Sequence, residues 1–120
     1  MASKQNTNEY PIKIIRENLR QNASQQASLL SRSVERLTSY DALPCTEYRQ
    51  EVAGQHVIAE RLLYLQHCRS ALEQCIASGA SRLRYRWQDG RVTDTRFRKT
   101  GPGRVRVSGL LADTPLKKAS

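Results

Sequence analysis

At 120 residues and 38% hydrophobic content, the chain makes one domain of ordinary size with a thin core. Twenty basic side chains against eleven acidic ones give a formal net charge of +9, which disfavours basic partners and points toward polyanions. No apolar run reaches a membrane span, the polar start MASKQNTNEYP lacks a signal peptide's apolar segment, and three cysteines without CxxC spacing argue against a disulfide scaffold. The expected setting is a reducing cytoplasm.

The charge is unevenly spread. Residues 1–43 hold six basic and four acidic side chains, residues 44–80 hold three and four, and residues 81–120 hold eleven and three. The electrostatic reach belongs to the last third.

In chain order, residues 1–10 read as a disordered leader. From Pro11, a natural first-turn residue, apolar positions recur at Ile12, Ile15, Leu19, Ala23, Ala27, Leu30, Val34 and Leu37. Steps of three and four residues give one stripe along a helix. Polar Asn22, Ser24, Gln25 and Gln26 weaken its middle and allow a break near Asn22–Ser24. Ser39–Cys45 reads as a connector, with Pro44 blocking simple continuation. Thr46 is placed to cap a second helix and Glu47 to sit at its positive end. That helix runs to about Ser78 and stops at Gly79. Its apolar face is Tyr48, Val52, Ile58, Leu62, Leu65, Cys68, Leu72, Cys75 and Ile76. Two long helices with a short connector form an antiparallel hairpin.

At Ser81 the period changes from near 3.6 to 2. Arg82–Trp87, Val92–Arg98 and Gly103–Leu110 read as strands. In an extended strand successive side chains alternate between faces. Each run therefore sorts into an apolar side and a guanidinium side. The register of the first hairpin decides whether those sides agree. A two-residue turn at Asp89-Gly90 would leave Phe97 on the arginine face. A three-residue loop, with Gly90 left-handed, sets Arg84 opposite Asp94 and Arg82 opposite Arg96. It also gathers Leu83, Tyr85 and Trp87 with Thr93, Thr95 and Phe97, and burial favours this second register. Val105 and Val107 extend the apolar face, Arg104 and Arg106 the basic one.

The expected architecture is thus an α+β domain over residues 11–111. A two-helix hairpin spans residues 11–79, and a three-stranded antiparallel sheet at residues 81–111 packs on it. Residues 112–120 form a flexible basic tail.

The arginine face is the sharpest functional feature. It suits a phosphate backbone or a groove of nucleic acid, whereas the bland alternative is a sheet kept soluble by charge. Lysine or mixed signs would serve solubility equally well, so the arginine bias favours binding. Arg82, Arg84, Arg86, Arg96, Arg98, Arg104 and Arg106 are the expected phosphate contacts, with Lys99, Lys117 and Lys118 at the rim. Nucleic acid is the expected partner, DNA in preference to RNA. The alternative is an adaptor or inhibitor docking an acidic protein.

Tyr85 and Trp87 could stack on bases, but alternating aromatics more often form the buried side of a sheet. His56, Glu60, His67, Cys68 and Cys75 do not fall at any recognised metal-ligand spacing. No nucleophile elbow, catalytic carboxylate pair or phosphate-cradling glycine loop is present. Neither a metal, a cofactor nor an enzymatic activity is expected. The heptad-like spacing of Ile58, Leu62, Leu65, Leu72 and Ile76 suits a self-association seam, and a homodimer would enlarge the thin core.

Overall fold

The computed structural model describes residues 8–38 and 44–110. Its elements are β1 (Asn8–Pro11), α1 (Ile12–Leu37), α2 (Cys45–Ser78), β2 (Ala80–Arg86), β3 (Val92–Gly101) and β4 (Arg104–Ser108). The fold is α+β, with two long helices packed together and a four-stranded antiparallel sheet in the order β1-β4-β3-β2. No helix among the described residues is long and apolar enough to cross a membrane.

The helices run antiparallel. Arg16 pairs with Glu73 at 2.7 Å near one end, and Arg36 with Glu51 at 3.3 Å near the other. α1 is continuous across Asn22–Ser24, where the weakened stripe allowed a break. Asn22 turns its amide back onto the Asn18 carbonyl at 2.9 Å, which satisfies it without unwinding the helix. α2 begins at Cys45, two residues earlier than expected, with Pro44 rather than Thr46 at the cap position and no side-chain cap bond. It ends at Gly79, whose N–H donates to the Cys75 carbonyl at 2.7 Å.

Strand count is the main correction. Residues 8–10, expected to be disordered, form β1 with Pro11 and pair antiparallel with β4, setting Glu9 opposite Arg106 and Tyr10 opposite Val105. Pro11 is tolerated because β1 is an edge strand, and the chain passes straight from it into α1. The Ile12 N–H donates to the Gly103 carbonyl at 2.8 Å, tying that junction to the β3–β4 turn. Residues 1–7 and the expected basic tail, including Lys117 and Lys118, lie outside the described residues.

The β2–β3 hairpin adopts the three-residue loop, with Arg82 opposite Arg96 and Arg84 opposite Asp94. The Trp87 N–H donates to the Arg91 carbonyl and the Gly90 N–H to the Trp87 carbonyl. Gly90 has φ 95°, a conformation that side chains rarely tolerate. A second glycine is fixed by crowding: a Cβ on Gly109 would lie 2.0 Å from the Asp94 carbonyl oxygen.

The core lies where the sheet meets one end of the hairpin. Ile12, Ile15 and Leu19 of α1, and Tyr64, Leu65, Cys68, Ala71, Leu72 and Cys75 of α2, pack with Trp87, Phe97, Val105 and Val107. Here α2 is buried on two sides, against α1 and against β2 and β3. That explains why Tyr64 and Ala71, off the expected stripe, are buried. Beyond the sheet the stripes lose their cover. Tyr48 and Val34 are exposed, and the buried α1 residue at that end is Ser33, bonded to Glu51 and Gln55. The molecule is accordingly elongated, 55 × 26 × 26 Å.

Candidate functional site

Strand alternation divides the sheet into two unlike faces. Toward the helices point Leu83, Tyr85, Trp87, Thr95, Phe97, Val105 and Val107, all buried or half-buried. Toward solvent point Arg82, Arg84, Arg86, Arg96, Arg98, Arg104 and Arg106, all exposed. The inner face anchors the strands. Tyr64, Tyr85 and Trp87 form a ring cluster with centroids 4.8–5.5 Å apart. Tyr64 shares a 2.9 Å hydrogen bond with Thr95, whose hydroxyl donates onward to the Gly109 carbonyl at 3.1 Å. Burying a ring such as Phe97 contributes about 1.5–3 kcal/mol, enough to hold a costly opposite face in place.

That opposite face is costly because of its register. Arg82 stands directly across from Arg96, and Arg98 directly across from Arg106. Like charges opposed across strands destabilise a sheet. Two carboxylates relieve part of the repulsion. Asp94 takes a fork from Arg82 at 2.9 and 2.7 Å and a longer contact from Arg96 at 3.4 Å. The Arg82 hydrogen bonds, with Arg96 assisting, pull its carboxyl down to about 2. Glu9, brought in by β1, accepts from Thr100 at 2.8 Å and from Arg104 at 3.0 Å. These bonds hold its carboxyl below the ordinary value. Among the described residues, no carboxylate pairs with Arg84, Arg86, Arg98 or Arg106 at ion-pair distance.

At the centre of the face lies an open depression of about 470 Å³. Arg82, Arg96, Arg98 and Arg106 line it together with the short side chains of Ala80 and Ser108. The small residues leave room for an anionic group among four guanidinium groups.

All seven predicted arginines therefore share one surface. Lys99 does not join them. It pairs with Val105 on the helix side of the sheet and borders a separate cavity with Lys13, Arg16 and Ile76. Its odd position in β3, like that of Phe97, places it there, and the alternation already contained that answer. The residues that sequence reasoning missed are Glu9 and Thr100, together with the small side chains Ala80 and Ser108. Glu9 was hidden because a four-residue polar segment ending in proline carries almost no strand signal.

Most of the groups weighed for metal or catalytic chemistry have structural surroundings, while His56 is exposed. Glu60 accepts the Gln88 N–H at 2.6 Å, fastening the hairpin loop to α2. His67 lies beside the Tyr85 ring, centroids 6.0 Å apart. Burial pushes the Cys68 thiol up to about 12 and raises that of Cys75 as well. Among the described residues, no three His, Cys, Asp or Glu side chains gather where they could hold a metal ion. Comparison with models of known protein families, with curated proteins and with solved structures gives no match, so this surface is to be judged on its own chemistry.

Proposed function

We propose that the chain is a nucleic-acid-binding accessory protein that lays its arginine-faced sheet on a phosphate backbone, DNA in preference to RNA. The observation that carries this reading is the opposition of arginine to arginine across neighbouring strands on an open face, seven cations against two carboxylates. A surface built only for solubility gains nothing from placing like charges opposite one another. A phosphate polymer relieves exactly that repulsion and releases its own counterions in doing so. Arginine also offers a planar fork suited to phosphate oxygens. The binding-module reading, as opposed to an enzyme, is supported by the structural roles of Glu60, Cys68 and Cys75.

The test is a titration of labelled DNA across a salt series. With four or five phosphate contacts, affinity should fall roughly 100- to 1,000-fold between 50 and 200 mM salt. No binding at low salt, or affinity indifferent to salt, would refute the proposal. An acidic protein as partner of the same face would appear instead as a complex that survives nuclease treatment.

A further inference from the structure

The outer face is more specific than its charge alone. Building on the nucleic-acid reading, we infer that the ligand is duplex DNA, held along one phosphate ridge without reading its bases. The first support is where the rings are. Binders of single strands stack bases on exposed aromatic side chains. Here Phe97 is 1% exposed and Trp87 4% exposed, both on the helix side. The Trp87 indole N–H is committed to Thr93 at 2.7 Å, and the Arg91 guanidinium lies 5.1 Å from the ring centroid. Tyr85 is half-buried against Tyr64 and Trp87. A base could reach Phe97 or Trp87 only by displacing the core. Besides the arginines the outer face carries Ala80, Val92, Asp94, Thr100 and Ser108, with Glu9 from β1, and none of these offers a flat ring.

The second support is the path of the charge. The register sets Arg104 and Arg106 on β4, Arg98 and Arg96 on β3, and Arg82 to Arg86 on β2, each group one step further along the sheet. Same-face residues lie about 6.6 Å apart along a strand and strands about 4.8 Å apart, so these positions trace a single oblique stripe roughly 28 Å long. It is nowhere more than two arginines wide. One stripe suits one ridge, along which the phosphates of a single strand follow one another. A duplex carries one charge per about 1.7 Å of axis, twice the density of either strand. It also arrives already rigid, whereas a single strand would have to be ordered with no stacking platform in return.

The experiment uses the full chain, a fluorescein-labelled 24-base-pair duplex of mixed sequence, a second duplex of unrelated sequence, and each separated strand. All are titrated at one ionic strength, with the emission of Trp87 followed in parallel using unlabelled DNA. The expected result is duplex affinity about tenfold or more above either strand, the two duplexes within about threefold of each other, and Trp87 emission unchanged at saturation. Single strands binding as tightly as duplex, or Trp87 quenched by them, would overturn the duplex inference while leaving nucleic-acid binding intact. A marked preference between the two duplexes would overturn the base-blind part. If none of the four probes binds at low salt, the underlying functional reading fails with it.

Discussion

The two faces of the sheet are made from the same strands by the same alternation, yet they answer to opposite demands. The inner face is aromatic, apolar and buried, and its hydrogen-bonding groups are matched to partners such as Thr93, Thr95 and Gly109. The outer face is cationic and open, with arginine set against arginine. The lesson is that stability and binding are separable here by strand parity. Odd positions in β2, β3 and β4 face the helices and supply the buried side chains, and the seven arginines all stand at even positions.

That separation can be broken most forcefully at Phe97. Phe97→Ala removes a ring that is 1% exposed and should cost about 3–5 kcal/mol in urea denaturation, with DNA affinity lost only where the protein unfolds. The converse change is charge reversal on the outer face. Arg84→Glu with Arg106→Glu should weaken DNA binding about 100-fold or more at 50 mM salt. Helical circular dichroism and the melting temperature should stay near wild type. A collapse of the fold in that variant would contradict the separation of roles.

A smaller and more diagnostic effect is expected at Arg98. Neutralising one member of its cross-strand pair with Arg106, as in Arg98→Thr, should raise the melting temperature of the free protein by about 1–3 °C while lowering DNA affinity. Opposite signs in the two measurements would mark the face as kept for binding at the expense of stability. The smallest effect concerns pH. Asp94 has a carboxyl depressed to about 2, chiefly by its hydrogen bonds from Arg82. A carboxylate depressed in the folded state stabilises fully above its unfolded value and loses that contribution as pH falls through its folded value. Asp94→Asn should therefore lower the melting temperature at pH 6, and the gap to wild type should close as pH falls from about 4 toward 2.

Much of this arrangement was legible in the sequence because period 2 is unambiguous when arginine and apolar residues alternate. The hairpin register followed from requiring Phe97 and Trp87 to share a face. Other parts were hidden for physical reasons. β1 is too short and polar to be told from a leader until β4 exists to pair with it. Tyr64 lies off the single stripe of α2 because its burial comes from a second neighbour, the sheet, which helical periodicity does not register. Ser33 was overlooked in favour of Val34, since a buried polar residue is recognisable only with its partners Glu51 and Gln55 in place. Lys99 was legible and misplaced, grouped by charge where parity should have ruled.

The pairing of β1 with β4 joins residues near position 10 to residues near position 105. During synthesis the first strand must wait for β4, some 95 residues further on, before it has an edge to dock on. The helical hairpin, with its contacts close in sequence at the connector, can form first. Glu9 can therefore meet Arg104 only after β4 has been made, and until β1 docks the arginines stand without that counter-charge.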